Sequence, residues 1–151
     1  MQILMVCLGN ICRSPMAEGI MRQKIKEYGL NAKVDSCGTA AYHVGQSPDT
    51  RAIQTLRKYN MDIAPLRGRQ FNITDFDAFD AIYVMDKENL KDIIKKARNQ
   101  NDREKVKLLL DELYPGKHKI VPDPYYGDLA GFEETYTLIE QACDKIAQKL
   151  S

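Results

Sequence analysis

The feature that most constrains the fold is an uninterrupted apolar run at the amino terminus that ends in a cysteine. Residues 2–6 (QILMV) place four apolar residues in a row, which is typical of a strand buried on both faces. The run stops at Cys7, and Arg13 then precedes Ser14, Pro15 and a helical pattern. A buried strand that leads through a short loop into a helix is the first part of a parallel β–α–β unit. The chain is therefore predicted to build a parallel sheet.

The rest of the sequence continues this alternation of strands and helices. Further strands are predicted at 32–36, 80–85 and 105–110, and helices at 15–28, 48–59, 74–78, 86–98 and 132–150. Ser14 is predicted to cap the first helix, with Pro15 in its first position. Asp86 is predicted to cap the fourth helix, with a place facing the site as the alternative. Residues 99–105 (NQNDREK) are predicted to be a solvated loop. The pattern predicts an α/β fold with a four-stranded, twisted parallel sheet and helices on both faces.

Composition excludes several classes of protein. A chain of 151 residues is predicted to form one domain, residues 1–151, and its net charge of +1 gives no reason to expect nucleic acid or a membrane surface as a partner. Residues 2–6 are too short for a signal-peptide core, so we expect a cytoplasmic protein. None of the four cysteines forms a CxxC pair, and the two histidines, His43 and His118, lie in no ligand-like spacing, so no metal is expected.

The loop between the first strand and its helix has the residues of an anion site. Backbone N–H groups at a helix amino terminus bind phosphate, and Arg13 adds a fork of donors. Gly9 and Asn10 tolerate the positive φ that a tight loop needs. The positive electrostatic potential of the helix amino terminus and of Arg13 also favours a thiolate at Cys7. Such a thiolate would be a nucleophile directed at phosphorus, and Ser14 could donate a hydrogen bond to its sulfur. The predicted phosphate-binding residues are Leu8, Gly9, Asn10, Ile11, Cys12 and Ser14, together with Arg13. No GxxxxGK[ST] or GxGxxG motif follows the first strand.

A proton donor for a leaving oxygen is also present. Asp123 lies between two prolines in "VPDPYYG", and the prolines restrict the backbone that carries its carboxylate. Phosphoryl transfer from an alcohol or phenol needs such a general acid. Asp123 is therefore the predicted general acid.

These motifs together resemble the low-molecular-weight protein tyrosine phosphatases, over essentially the whole chain. The similarity is carried by "VCLGNICRSPMAEG", "DSCGTAAYHVGQSPD", "FDAIYVMDKENL" and "DPYYGD", in the family's order and spacing. The resemblance implies a Rossmann-like four-stranded parallel sheet, no metal and no cofactor. It implies that Cys7 is the nucleophile that forms a phosphocysteine, that Arg13 binds phosphate, and that Asp123 acts first as acid and then as base. It also implies that Asn10 holds the loop, with Ser36 as its partner.

The chain departs from the family pattern at two positions. Cys37 replaces a common alanine in "DSAGT", and Leu66 stands where many members have a histidine that supports the active-site asparagine. The resemblance also implies a redox role for Cys12, which would trap an oxidised Cys7 as a reversible disulfide. Cys143 lies on the apolar face of the last helix and is predicted to be core.

The expected substrate carries a flat phenyl ring. Ile11 presents an apolar side chain to the group that bears the phosphate, and the resemblance implies that Tyr42, Tyr125 and Tyr126 wall a slot for the ring. Expected partners are phosphotyrosine proteins or small aryl phosphates, with inorganic phosphate as a product inhibitor, and the protein is expected to be a monomer or to self-associate weakly.

The alternative functions are a phosphoarginine phosphatase of the same fold, whose known example has threonine in place of Ile11, and a silent phosphotyrosine-binding module. An arsenate reductase is disfavoured because residues 80–90 contain no cysteine.

Overall fold

The computed structural model describes residues 1–151 and contains one four-stranded parallel sheet. The strands are β1 (Gln2–Cys7), β2 (Lys33–Gly38), β3 (Ala81–Val84) and β4 (Val106–Leu108), in the spatial order β2-β1-β3-β4. The central strand β1 pairs Cys7 with Gly38 on one side and Val6 with Val84 on the other. The predicted fold class, a parallel α/β sheet, is confirmed.

Helices cover both faces of this sheet. They are α1 (Arg13–Glu27), α2 (Thr50–Arg57), α3 (Asp75–Ala78), α4 (Lys87–Ile94), α5 (Gln100–Glu104) and α6 (Leu129–Leu150). Because side chains of a strand alternate between faces, Ile3 and Met5 join the larger apolar cluster with α1, α2 and α6. Leu4 and Val6 join the smaller cluster with α3 and α4. None of the helices combines the length and the apolar character that crossing a membrane requires.

The first helix begins two residues earlier than predicted. It starts at Arg13 with Cys12 in the cap position, and no side chain caps it, so the prediction of Ser14 as the cap is wrong. The hydroxyl of Ser14 turns inward instead, to Cys7 and Asn10. Pro15 then occupies the third helical position, where its missing N–H costs nothing because the first four N–H groups of a helix have no intrahelical acceptor.

Other boundaries differ from the sequence prediction as well: α2 runs from Thr50 to Arg57 where 48–59 was predicted, and α6 begins at Leu129 where 132 was predicted. Residues 100–104 form the short helix α5, capped by the side chain of Asn99, where a loop was predicted. The fourth strand ends at Leu108, and residues 109–111 form a 3₁₀ turn that buries Leu109 and Leu110 in the larger cluster. Helix α4 ends at Ile94, earlier than the predicted 98. Short segments without a full apolar period give the sequence little to distinguish them.

The strand order fixes where a ligand can bind. The chain passes from β1 to β2 on one side, and β3 adds to β1 on the other, so the strand order reverses between β1 and β3. In open parallel sheets, ligands bind beyond the carboxyl ends of the strands at such a switch point. Cys7 ends β1 there, and Asp86 follows β3 by two residues.

Candidate active site

The loop that follows β1, residues 8–12, is here called the anion loop. Three of its carbonyl groups bind neighbouring backbone: Leu8 O accepts from Ala40 N at 3.0 Å, Ile11 O from Asp49 N at 2.8 Å and Cys12 O from Met16 N at 3.2 Å. Its backbone N–H groups, by contrast, donate to no acceptor in the protein. Asn10 has a φ of 58°, which tightens the turn. A loop whose carbonyls point away and whose N–H groups are free is suited to bind an oxyanion.

Arg13 is fixed beside this loop, although it is only 2% exposed. Its NH1 donates to Asp86 Oδ2 at 2.6 Å and to the carbonyl of Val121 at 2.9 Å. Its NH2 lies 3.7 Å from Asp123 Oδ2. A buried guanidinium needs such partners, and those contacts orient the rest of its donor fork.

Asn10 connects the anion loop to the strands beneath it. Its Oδ1 accepts from the backbone N–H of Arg69 at 3.0 Å, which fixes the orientation of the amide. Nδ2 therefore donates to Ser14 Oγ at 2.8 Å and to Ser36 Oγ at 3.0 Å. Ser36 in turn donates to the buried Glu18 at 2.7 Å. The expected pair of Asn10 and Ser36 is thus in contact.

This orientation decides what Ser14 can offer to the sulfur. Because Ser14 Oγ accepts from Asn10, its own hydrogen points either to Cys7 Sγ, at 3.0 Å, or to the carbonyl of Cys37, at 3.3 Å. Cys7 itself is 3% exposed at the base of the pocket. A hydroxyl hydrogen directed at a thiolate stabilises its charge.

Leu66 and Cys37, the two departures from the family pattern, lie in different surroundings. Leu66 packs, partly buried, against the larger apolar cluster, and Asn10 is held by the backbone of Arg69 instead of a histidine. Cys37 is fully buried in β2, where burial raises the pKa of its thiol. Its carbonyl, not its sulfur, contacts Ser14.

Asp123 lines the same pocket as Cys7 and Arg13. Its Oδ1 accepts from the N–H of Tyr125 at 3.1 Å, and its Oδ2 is the oxygen that faces Arg13. The side chain is 39% exposed, so it is open to water as well as to the pocket. The two carboxyl oxygens are therefore not equivalent: Oδ1 is held by the backbone, and Oδ2 is directed to Arg13.

The pocket between these groups has a volume of about 220 Å³. Its lining includes every residue predicted for the pocket wall, Ile11, Tyr42, Tyr125 and Tyr126, and also Cys7, Arg13 and Asp123. Tyr125 and Tyr126 meet edge to face, with ring centroids 5.0 Å apart. Tyr126 is 94% exposed and stands at the rim. The walls are therefore largely aromatic and apolar above a charged base.

Cys12 also lines this pocket, and it is only 4% exposed. Burial, followed by the charge of Asp49, raises the pKa of its thiol well above the ordinary value. This shift favours the neutral thiol of Cys12, which lines the same pocket as Cys7. Cys143 is fully buried in the larger apolar cluster, as predicted.

Several residues of the site were not identified as such from the sequence. His43 lines the pocket against Gly9 and contacts Gln46 Oε1 at 2.9 Å; its position next to Tyr42 was the available signal. Asp86 was predicted first as a helix cap, with a place facing the site as the alternative, and it does both: it caps α4 and binds Arg13. The carbonyl of Val121 gave no sequence signal. No group of three or more His, Cys, Asp or Glu side chains is arranged to hold a metal ion.

Comparison with known proteins gives one consistent result. The family model described as low molecular weight phosphotyrosine protein phosphatase matches residues 2–151. A low molecular weight phosphotyrosine protein phosphatase of Schizosaccharomyces pombe is 46% identical over 138 residues, which cover 89% of this chain and 87% of the relative.

Solved structures agree with the sequence relatives. A protein tyrosine phosphatase from Entamoeba histolytica, with Hepes in its active site, superposes with a TM-score of 0.93 at 35% identity, over 99% of this chain and 96% of that one. The arginine phosphatase YwlE, solved as a mutant with a phosphorylated active-site serine, superposes with a TM-score of 0.89 at 26% identity, over 99% and 95%. The match covers both chains almost completely in each case.

Proposed function

Because the chain belongs to the low molecular weight phosphotyrosine protein phosphatase family, we propose that its whole length, residues 1–151, works as one phosphatase domain. It hydrolyses phosphotyrosine and small aryl phosphates through a phosphocysteine. Cys7 is the nucleophile, Arg13 and the anion loop bind the phosphoryl group, and Asp123 is the general acid and base. The reaction needs no cofactor.

The first step transfers the phosphoryl group to sulfur. The Cys7 thiolate attacks phosphorus while the bond to the aryl oxygen breaks, and the leaving phenolate takes a proton from Asp123 Oδ2. The free N–H groups of the anion loop and the Arg13 fork receive the equatorial oxygens, whose charge they stabilise in the transition state.

The second step returns the enzyme to its starting state. Asp123, now ionised, takes a proton from water, and the resulting hydroxide attacks phosphorus as the S–P bond breaks. Inorganic phosphate forms and the electron pair returns to Cys7, where the hydrogen of Ser14 stabilises the thiolate. Phosphate occupies the same loop as the substrate, so we expect it to inhibit as a product.

One observation carries this proposal. Cys7 and Arg13, six residues apart, and Asp123, 110 residues after Arg13, line a single pocket of about 220 Å³, with Asp123 Oδ2 3.7 Å from the Arg13 guanidinium. Nucleophile, phosphate ligand and proton donor therefore lie within reach of one phosphate ester. A silent binding module would need neither a nucleophile nor an acid.

The aromatic pocket supports phosphotyrosine as the substrate class. Ile11, Tyr42 and Tyr125 offer apolar surface to a phenyl ring, whose length lets its phosphate reach a sulfur only 3% exposed. The shorter phosphoserine side chain does not reach that depth. Similarity to the arginine phosphatase YwlE makes phosphoarginine the second candidate. Ile11 disfavours this substrate because its apolar side chain offers no hydrogen-bond acceptor to a guanidinium.

The experiment that tests this function measures phosphate release from phosphotyrosine, phosphoserine and phosphoarginine in parallel, under reducing conditions. The Cys7→Ser variant is the control. We expect fast release from phosphotyrosine alone, dependent on Cys7. Preference for phosphoarginine would move the second candidate to first place, and no release from any substrate would favour a binding module.

Three further proposals concern the setting of this enzyme. Cys12 protects Cys7 from irreversible oxidation by forming a disulfide with its sulfenic acid, which releases water. A thiolate nucleophile needs a reducing compartment, which supports a cytoplasmic location. The exposed Tyr42 and Tyr126 at the pocket rim are consistent with a phosphotyrosine protein as partner, and with a monomer or a weakly self-associating protein.

A further inference from the structure

Arg51, on α2, is the residue through which the two sides of the active site are joined. Its NH1 donates to the carbonyl of Gly127 at 3.0 Å, and its NH2 donates to the carbonyl of Tyr125 at 2.8 Å. Both carbonyls belong to the turn that follows Asp123. The guanidinium also lies 4.7 Å from the ring centroid of the fully buried Phe132. Arg51 therefore binds the backbone of the turn and packs against the first residues of α6.

Asp49 connects Arg51 to the anion loop. Its carboxylate accepts from Arg51 Nε at 3.0 Å and from NH2 at 2.9 Å, and this pairing lowers the pKa of Asp49. The same carboxylate accepts the N–H of Arg51 at 2.8 Å, so that it caps α2. The backbone N–H of Asp49 donates to Ile11 O, within the anion loop, at 2.8 Å. A continuous set of bonds thus runs from the anion loop to the Arg51 guanidinium.

The peptide groups of Tyr125 complete the connection to Asp123. The N–H of Tyr125 binds Asp123 Oδ1 at 3.1 Å, while the carbonyl of the same residue binds Arg51. Oδ1 is therefore anchored to a residue that Arg51 anchors in turn. Asp123 Oδ2 is left to face Arg13.

We propose that Arg51 is a positioning residue for the general acid: it sets the distance between Asp123 Oδ2 and the phosphoryl group held by the anion loop. This inference rests on the proposed function and adds a residue to it. Arg51 is not among the residues that line the pocket, so it is not placed to touch a bound phosphate ester. It acts by holding the turn that carries the proton donor at a fixed place relative to the loop that carries the nucleophile.

The geometry requires arginine at this position. Three nitrogens of one plane serve four acceptor contacts, two on Asp49 and two on the turn. A lysine ammonium is a single point donor and cannot span acceptors on both elements. Arg51→Lys therefore keeps the charge and removes the connection, and Arg51→Gln removes both.

The test compares two aryl phosphates that differ in their need for an acid. Phenyl phosphate has a poor leaving group, whereas p-nitrophenyl phosphate leaves with little protonation. A displaced acid should lower kcat/KM for phenyl phosphate roughly 10- to 100-fold in both Arg51 variants, and for p-nitrophenyl phosphate less than about threefold. Because kcat/KM reports the steps up to formation of the phosphocysteine, the comparison isolates the first proton transfer.

A double-mutant cycle separates positioning from general damage to the fold. In the Asp123→Ala background there is no acid to position, so Arg51→Lys should change phenyl phosphate hydrolysis by less than about twofold. Arg57→Lys is the matched control, because Arg57 lies on the same helix, is 61% exposed and only approaches Asp62 at 3.8 Å. Arg57→Lys should leave kcat/KM for both aryl phosphates unchanged.

Two results would overturn the inference. Equal losses for the two substrates would mean that Arg51 serves the fold and not the acid. A full loss on top of Asp123→Ala would mean that it acts independently of Asp123. Failure of the proposed function has a different signature, since unmodified enzyme would then hydrolyse neither aryl phosphate.

Discussion

Ser14 Oγ lies 3.0 Å from Cys7 Sγ, and the amide of Asn10 already donates to that hydroxyl. The hydroxyl hydrogen is therefore available to the sulfur. In a reaction that ends with a thiolate leaving phosphorus, this contact bears most on the breakdown of the phosphoenzyme.

Replacing Ser14 by alanine should accordingly slow turnover more than it slows formation of the phosphoenzyme. A hydrogen bond to a charged group contributes about 1.5–3 kcal/mol, so we expect kcat to fall about 10- to 100-fold. Burst kinetics with p-nitrophenyl phosphate would show a preserved burst followed by a slower steady state. Ser47→Ala, on an exposed loop, serves as control. An unchanged kcat would show that the hydroxyl does not assist the sulfur.

Cys7→Ser should abolish turnover and keep anion binding. A serine hydroxyl in this position is a far weaker nucleophile, and we expect kcat to drop by at least about 10³-fold. The N–H groups of the anion loop and Arg13 are unaltered, so vanadate or phosphate should still bind, as measured by calorimetry. Detection of a burst of product in this variant would refute the assignment of the nucleophile.

Gly38 is required by the close approach of β2 to the anion loop. A Cβ atom there would lie 2.7 Å from the carbonyl oxygen of Leu8 and 3.2 Å from the N of Asn10. We expect Gly38→Ala to lower the free energy of unfolding by about 1–3 kcal/mol and to reduce activity sharply, because the backbone of the loop must move. Urea denaturation and phosphate release measure the two effects.

The matched control for this variant is Gly131→Ala. At Gly131, within α6, the nearest atom to an added Cβ is 3.9 Å away, and alanine favours a helix. If both variants were equally active and stable, the close approach of Gly38 to the anion loop would not be needed for activity or stability.

Glu18 should make stability depend on pH. Burial raises its pKa above the ordinary 4.5, although Ser36 and Arg22 lower it in part. A carboxyl whose pKa is raised by folding contributes stability below about 4.5, and this contribution is lost as pH rises through the folded value. Glu18→Gln keeps an acceptor for Ser36 and removes the charge. We therefore expect the variant to gain stability relative to the original protein as the pH rises from 4 towards neutral.

Urea denaturation at several pH values measures this difference, with Glu27→Gln, at the exposed end of the same helix, as control. A difference that stays constant or shrinks with rising pH would argue that the charge of Glu18 is fully compensated by its partners.

Cys12→Ser should make oxidation of Cys7 harder to reverse. With no neighbouring thiol to condense with the sulfenic acid, further oxidation proceeds to irreversible acids. The recovery of activity by thiol after a peroxide pulse, relative to each protein's own starting activity, should fall severalfold. Equal recovery would remove the redox role of Cys12.

The sequence was sufficient where one local pattern carried the information. The apolar run before Cys7 predicted β1, and the spacing of Phe132, Ile139, Cys143 and Ile146 predicted the core face of α6. The helix α5 escaped because five residues give no apolar period, although Asn99 was an available cap signal. The cap of α1 was misassigned because serine is a common cap, and nothing local shows that a sulfur competes for its hydroxyl.

The residues that join distant segments were beyond local patterns. Arg51 meets carbonyls 74 and 76 residues away, and Val121 accepts from an arginine 108 residues earlier. A carbonyl has no side-chain signature, and an arginine near a helix start is common on any surface. Such contacts follow from the folded sheet, which brings the loops after all four strands to one edge.

Asp86 divides its two oxygens between two tasks: Oδ1 receives the amide of Asn89 at the start of α4, and Oδ2 holds Arg13. Binding free energies that share a group are reciprocal. We therefore expect an oxyanion that orders Arg13 to stabilise the first turn of α4 as well, and fraying of that turn to weaken oxyanion binding. Phosphate occupancy and the stability of a helix on the other face of the sheet are in this way expected to be linked.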